Sequence, residues 1–242
     1  MNRREALFSI SSIVATLTVA PKLSAKELHN VPLESGLNAD SVPVPAMQGG
    51  YRVLTNETDR KNLAAIYDRL IPADEHGPSA CEEGAIVFID DQLAGDYGSG
   101  AALYLQGPLR PENEEKLMGA PQFLAPPRER YVTGLRALEA WAKVNHKASF
   151  YTLDNEQIDR FLTDMEAGKI NLGADVNSQA FFELMLQNVR ESYLADPLYG
   201  GNKTMAGWKM IGFPGARYDY RQYVDRRGEN LKLIPVSLIP KD

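Results

Sequence analysis

The sequence predicts an all-α, mostly helical protein with a single helical domain, and two observations predict it. Apolar residues recur three and four positions apart in five separate stretches, which is the spacing of one helix face. No stretch alternates apolar and polar residues for long enough to require a β-sheet. The chain has 242 residues, 44% of them hydrophobic, so it is long enough to bury a sizeable core.

The first two helices are bounded by recognisable capping and breaking residues. One helix is predicted from Asn56 to Leu70, and Pro72 ends its apolar pattern. The next helix follows Ser79 and Glu82, which have the spacing of a capping box. Its apolar positions are Ile86, Ile89 and Leu93.

Three longer stretches predict the remaining helices. One runs from about Arg128 to Asn145 and carries Tyr131, Leu135 and Leu138 on one face. Another begins after Asp154, which has the capping-box spacing with Gln157, and stops at Gly168. The last has its apolar stripe from Phe182 to Tyr193 and is closed by an Asp-Pro pair.

Glycine and proline divide the rest of the chain. Residues 26–50 hold six of them with little periodicity and are predicted to form an extended arm or linker, followed by the helical domain at 51–242. Within that domain, residues 95–127 contain ten Gly or Pro and residues 196–217 contain seven. These two segments are predicted to be long ordered loops.

Residues 1–25 are predicted to be an export signal. Arg3 and Arg4 precede fifteen uncharged residues, Ala6–Ala20, of which ten are apolar and five are Ser or Thr. A membrane span needs about 20 apolar residues, so this stretch is too short for a good anchor. A charged start, a short apolar stretch and a small residue at Ala25 are typical of a signal that is cleaved there.

The arginine pair indicates the export route. The segment Asn2-Arg-Arg-Glu-Ala-Leu-Phe8 resembles a twin-arginine (Tat) signal, whose usual form is Ser-Arg-Arg-x-Phe-Leu-Lys. The arginines and Leu7 match this form, while Ala6 and Phe8 depart from it. We therefore expect export to the periplasm through the Tat translocase, with a general secretory signal or a frayed first helix as the alternative.

The charge and the cysteine content of the chain argue against several functional classes of protein. The chain carries a net charge of −6, and removal of residues 1–25 leaves 23 basic and 31 acidic residues, a net charge of −8. An acidic chain without a basic block is a poor nucleic-acid binder. The only cysteine, Cys81, cannot form an internal disulfide or supply a cysteine-rich metal site. It is expected to be a small buried hydrophobe, with an intermolecular disulfide as the alternative.

Catalytic motifs are missing from the sequence. It contains no dinucleotide fingerprint, no phosphate-binding loop, no nucleophile elbow and no haem-attachment motif. The histidines are scattered, and the acidic pairs Glu82-Glu83 and Asp90-Asp91 are expected to lie on solvated helix surface. The sequence therefore predicts no catalytic, cofactor-binding or metal-binding residue in this chain.

An aromatic and glycine-rich segment is the candidate site. Residues 193–223 hold five of the eleven tyrosines, together with Trp208 and two arginines. Tyr, Trp and Arg are enriched at the centres of protein interfaces, so the segment predicts partner binding. The alternatives are packing against the protein's own helices and a ligand pocket. The candidate residues are Tyr193, Tyr199, Gly200, Gly201, Asn202, Trp208, Pro214, Gly215, Arg217, Tyr218, Tyr220, Arg221 and Tyr223.

Several motifs between residues 54 and 225 resemble the gluconate 2-dehydrogenase subunit 3 family. Shorter ones are Leu70–Glu75, Gly84–Gly95, Gln106–Pro108 and Arg130-Tyr131 with Gly134-Leu135. The two longest are Asp196-Pro-x-Tyr-Gly-Gly-Asn202 and Gly207-Trp-Lys-x-Ile-Gly-Phe-Pro-Gly-Ala-Arg-Tyr218. Members are small subunits of membrane-associated, flavin-dependent dehydrogenases, and a twin-arginine-like start is typical of them.

The resemblance implies an accessory role. The implied partners are a large flavoprotein of the glucose–methanol–choline type, which binds FAD and oxidises a sugar, sugar acid or alcohol, and a multihaem cytochrome c subunit, which passes electrons to quinone. The small subunit would bind the flavoprotein, support its maturation and supply its export signal. It would meet the membrane only through the complex. The alternative is a stand-alone periplasmic sugar-binding protein or enzyme with a pocket near Gly200 and Trp208.

Overall fold

The computed structural model describes residues 50–101, 125–173, 176–217 and 219–239. The predicted export signal with Arg3, Arg4, Leu7 and Ala25 lies outside these residues, as do Tyr218 and nearly all of the predicted arm. The described residues are mostly helical and contain no sheet, which confirms the predicted fold class.

All five predicted helices are present, and the described ranges contain two further short helices. The five are α1 (Glu57–Leu70), α2 (Ala85–Ala94), α4 (Pro127–His146), α5 (Asn155–Glu166) and α6 (Ser178–Leu194). The short helices are α3 (Asp96–Ser99) and α7 (Ala206–Ile211). Both lie in segments that the sequence analysis predicted as loops. They were not predicted as helices because they are short and have glycines at their ends, so they show no apolar periodicity. Short 3₁₀ turns occur at Phe150–Thr152, Pro197–Tyr199 and Arg221–Tyr223.

Of the two capping boxes that the sequence predicts, only the one at Asp154 caps its helix. The Asn56 side chain accepts a hydrogen bond from the Thr58 N–H at the start of α1. Asp154 and Gln157 form the reciprocal capping box of α5. The bonds between Ser79 and Glu82 also form, but they close the turn that precedes α2. The helix itself begins only after Gly84, whose φ of 91° no helix residue can adopt.

Helix α1 lies at the centre of the fold and packs against α2, α4, α5 and α6. The core between these helices is made of large side chains with almost no exposed surface, and each contributes roughly 1.5–3 kcal/mol to stability. These include Leu63, Ile66, Ile89, Leu93, Leu135, Leu138, Met165, Met185 and Val189. Helix α7 packs on the last turns of α6 and so extends the fold beyond this core.

A hydrogen-bonded polar cluster lies inside the apolar core. The hydroxyls of Tyr67 and Tyr131 are 2.8 Å apart, and both side chains are fully buried. The Tyr131 hydroxyl donates to Asn188 Oδ1 at 3.0 Å. Asn188 Nδ2 in turn donates to the Tyr97 hydroxyl and to Glu191 Oε2, both at 2.9 Å. Burial raises the pKa of both Tyr67 and Tyr131, because a phenolate in the core would lose its hydration.

The buried tyrosines predict a loss of stability at alkaline pH. Below about pH 10 these phenols are neutral in the folded and unfolded chain, but above it only the unfolded chain ionises freely. Stability should therefore fall above pH 10 by up to about 1.4 kcal/mol per pH unit for each buried tyrosine. Urea unfolding between pH 8 and 11 measures this slope.

The matched variants for this experiment are Tyr67→Phe and Tyr151→Phe. Tyr67→Phe removes one buried phenol and should make the alkaline fall shallower. Tyr151→Phe removes a hydroxyl from an exposed ring and should leave the slope unchanged. An equal slope in wild type and Tyr67→Phe would show that this phenol ionises as easily in the folded protein as in the unfolded chain.

Candidate functional site

The buried half of the candidate segment packs against the protein's own helices. The Tyr193 hydroxyl donates to the Pro78 carbonyl at 2.8 Å, and Trp208 Nε1 donates to the Leu194 carbonyl at 2.7 Å. Both rings are at most 5% exposed. These two aromatic side chains therefore fix the segment to α6 and to the turn before α2.

Asn202 links the end of α6 to the start of α7. It is fully buried, its backbone is left-handed with φ 47°, and its Nδ2 donates to the Ala195 carbonyl at 2.9 Å. Its Oδ1 accepts from the Gly207 N–H at 3.0 Å. One side chain thus satisfies a carbonyl at the end of one helix and an orphan N–H at the start of the other.

Glu83 contacts the loop between α6 and α7 from the opposite side. Its carboxylate is 1% exposed and accepts hydrogen bonds from the N–H of Thr204 at 2.9 Å and from the Thr204 hydroxyl at 2.7 Å. A Cβ at the adjacent Gly84 would come within 2.3 Å of the Gly200 carbonyl oxygen. The loop at 200–204 and the turn before α2 are therefore in direct backbone contact.

The prediction that the acidic pairs are solvated is wrong for Glu83 and for Asp90. Asp90 is 2% exposed and accepts from the backbone N–H groups of Arg52, Val53 and Leu54 at 2.7, 2.9 and 2.7 Å. A signal for Asp90 was available, since it lies four residues after Ile86 and three before Leu93, on the apolar face of α2. Glu83 precedes the helix, and no periodicity marks it.

The C-terminal segment is fastened to the candidate segment. Asp196 Oδ1 accepts from the Ser237 hydroxyl at 2.7 Å, and Asp196 Oδ2 accepts from the Leu238 N–H at 3.0 Å. Gly215 and Val236 form an isolated parallel bridge, in which the Ala216 N–H donates to the Val236 carbonyl at 2.7 Å. Arg217 Nη2 also donates to the Ile234 carbonyl at 2.9 Å.

A groove of about 690 Å³ lies between these two segments. One wall is aromatic and consists of Trp208, Phe213 and Tyr220, with the first two rings in edge contact at a centroid distance of 5.2 Å. The other wall, which we call the C-terminal wall, is the chain segment at residues 229–235; it forms no helix or strand, and Lys232 within it has a left-handed backbone with φ 45°. Lys209 and Lys232 also line it.

Exposed apolar side chains are concentrated in the part of the chain that supplies the groove lining, and Phe213, Tyr220 and Ile234 line the groove itself. Thirteen large hydrophobic side chains are exposed in the described ranges, and ten of them lie between Leu194 and Leu238. Ile234 is 70% exposed, Ile211 57% and Met210 53%. We call the set Lys209, Met210, Ile211, Phe213, Tyr220, Lys232 and Ile234 the groove surface. An exposed apolar set beside a groove is typical of a surface that binds another molecule.

The structure divides the predicted site residues by exposure. Buried positions are Tyr193, Gly200, Gly201, Asn202, Trp208 and Gly215. Half-buried positions are Pro214, Arg217 and Tyr223, whereas Tyr199, Tyr220 and Arg221 are exposed. The sequence argument missed Lys209, Met210, Ile211, Phe213, Lys232 and Ile234. The dense apolar composition of residues 231–239 was the available signal.

In the part of the chain that the structure describes, no group of three or more His, Cys, Asp or Glu side chains could hold a metal ion. Cys81 is half-buried, and burial raises the pKa of its thiol, so it is held as an unreactive thiol. None of the helices between residues 50 and 239 that are described is long and apolar enough to cross a membrane.

A helical domain with an exposed apolar groove fits the class of subunits that bind other chains in larger assemblies. The family model for gluconate 2-dehydrogenase subunit 3 matches residues 57–215, which is more than half of the chain. The chain belongs to this family, as the motifs in its sequence predicted. Membership assigns it an accessory role as a subunit of a multi-subunit dehydrogenase. No curated protein and no solved structure matches the chain.

Proposed function

We propose that this chain is the non-catalytic small subunit of a periplasmic, FAD-dependent dehydrogenase that acts on gluconate or another sugar or alcohol. It binds the flavoprotein large subunit, supports its maturation and stability, and carries it through the Tat translocase. FAD resides in the large subunit, and a multihaem cytochrome c subunit passes the electrons to quinone. The chain is peripheral to the cytoplasmic membrane through the complex.

The concentration of exposed apolar side chains in the part of the chain that supplies the groove carries this proposal. Met210, Ile211 and Ile234 are each more than half exposed, and a chain that worked alone would gain nothing from this exposure. Burial of these side chains against a partner would instead stabilise a complex. The export signal adds independent support, since the Tat route carries folded proteins, and a flavoprotein must bind FAD before export.

Replacement of the arginine pair tests the export role. In cells that express the large subunit with the full-length chain, Arg3→Lys with Arg4→Lys should leave nearly all dehydrogenase activity in the cytoplasm. The twin-arginine pattern is read by its receptor as an address, so lysine should not replace arginine there. Activity in fractionated cells, assayed with an artificial electron acceptor, measures this distribution.

The control is Lys22→Arg, which keeps the charge of the same segment and should leave export unchanged. A second strain lacks the small subunit altogether. If its large subunit reached the periplasm folded, loaded with FAD and active, the proposed function would be wrong. The alternative of a stand-alone sugar-binding protein predicts that the purified chain binds a sugar by itself, which calorimetry would detect.

A further inference from the structure

We infer that the groove surface binds an acidic segment of the large subunit. This segment inserts an apolar side chain between the aromatic wall and the C-terminal wall. The inference rests on the proposed function, because it takes the large subunit as the partner. It adds the place and the chemistry of the contact. It also brings in the C-terminal segment, which the sequence argument left without a role.

The two walls of the groove provide a seat for one apolar side chain. Trp208 and Phe213 are in edge contact, so the aromatic wall is already ordered before a partner binds. The opposite wall is held by the Asp196 carboxylate and by the bridge between Gly215 and Val236. A preformed pocket with an aromatic wall is the kind of place where interface anchors bind, since little freedom is lost on binding.

Charge selects an acidic partner. Residues 203–239 contain seven Lys and Arg against three Asp and Glu, a net charge of +4, while the rest of the chain carries −10. Two of the three acids are paired within this segment, Asp219 with Arg221 and Glu229 with Arg226. Lys209 and Lys232 line the groove itself and are exposed, and the acid in its lining, Glu229, is the one paired with Arg226. A positive rim would attract a negatively charged segment, and it would repel the same positive rim on a second copy of this chain.

The shape of the site favours a protein partner over a lipid surface. The aromatic wall and the C-terminal wall enclose a concave space of about 690 Å³. A bilayer presents a broad surface, which protruding apolar side chains enter, and it cannot place a single side chain in such a groove. A loop or terminus of a protein can do so.

A competition experiment in cells tests the inference. Tagged wild-type chain and an untagged variant are co-expressed with a limiting amount of the large subunit, and the ratio of the two chains in the purified complex gives their relative affinity. Lys209→Glu with Lys232→Glu reverses the rim charge and should reduce incorporation by about tenfold or more. Ile234→Asp puts a charge on the C-terminal wall and should reduce incorporation into the complex by a similar factor.

Matched controls lie on other faces of the protein. Arg160→Glu with Lys169→Glu makes the same change of charge at exposed positions in and just after α5, and Val144→Asp makes the apolar-to-acid change at a side chain that is 78% exposed. Both controls should be incorporated like wild type. Thermal unfolding of each purified chain separates a binding defect from a folding defect.

The outcomes separate the inference from the proposed function. If both groove variants were incorporated into the complex as well as the wild-type chain, the inference would be wrong and the proposed function would stand. A wild-type chain that forms no complex would overturn both. The lipid alternative is tested with vesicles of phosphatidylglycerol and phosphatidylcholine. If the groove variants lost vesicle binding but entered the complex like wild type, the surface would face a membrane, and the inference would be wrong.

Discussion

Gly207→Ala should destabilise the protein by about 3 kcal/mol or more, at the upper end of what an extra methyl group in a packed site costs. A Cβ at residue 207 would lie 1.9 Å from the Tyr193 carbonyl oxygen, far inside contact distance. The opposing atoms are backbone, so no side-chain rotation relieves the clash. The second residue of α7 must therefore move away from the last turns of α6, and the bond from the Gly207 N–H to Asn202 moves with it.

Thermal unfolding measures this effect. A loss of about 3 kcal/mol corresponds to a fall in Tm of roughly 6–12 °C for a domain of this size. Gly95→Ala is the matched control, because its φ is −95° and an added Cβ would meet only ordinary contacts at 3.7 Å and beyond. A Gly207→Ala protein with the Tm of the Gly95→Ala protein would show that α6 and α7 are not in such close contact.

The same variant tests how the groove surface is positioned. Met210 and Ile211 are carried by α7, which has only six residues and could not persist as an isolated helix. Its position depends on Trp208 and Asn202, which bond to carbonyls at the end of α6. We therefore expect the Gly207→Ala protein to be incorporated into the complex less well than its loss of stability alone would explain.

The fold was predictable because its long helices carry their own signals. Asp154 caps α5 in the structure as the sequence indicated, and the apolar stripes of α1 and α5 face the core. Helix α7 had no such signal. Its six residues are too few for periodicity, and it forms because Trp208 and Gly207 fit the end of α6, which is a tertiary effect.

The candidate site was predictable only in outline. Composition marked residues 193–223 as unusual, but the same residue types serve both burial and exposure. Trp208 and Tyr193 satisfy their polar atoms on backbone carbonyls and are buried, whereas Tyr199 and Tyr220 remain exposed. The partners that hold the two buried rings lie far along the chain, 14 residues away for Trp208 and 115 for Tyr193. No local pattern encodes such partners.

Glu83→Ala should destabilise the protein by about 3 kcal/mol, because it removes two hydrogen bonds that Thr204 donates to a carboxylate that is itself only 1% exposed. The hydrogen bonds of a carboxylate are roughly twice as strong as those of a neutral acceptor, so both bonds contribute. Glu83→Gln keeps one acceptor oxygen for the Thr204 N–H, and the Thr204 hydroxyl can turn to accept from the new amide. This variant should therefore lose only about 1 kcal/mol.

A double-mutant cycle isolates the contact between these two residues. Thr204→Val removes the hydroxyl but keeps the backbone N–H that also donates to Glu83. If the hydroxyl bond stabilises the loop, the combined loss in Glu83→Ala with Thr204→Val should be smaller than the sum of the single losses by about 1 kcal/mol. Urea unfolding gives each free energy. Additive losses would show that Glu83 stabilises the loop only through the Thr204 N–H, and that the hydroxyl bond adds nothing.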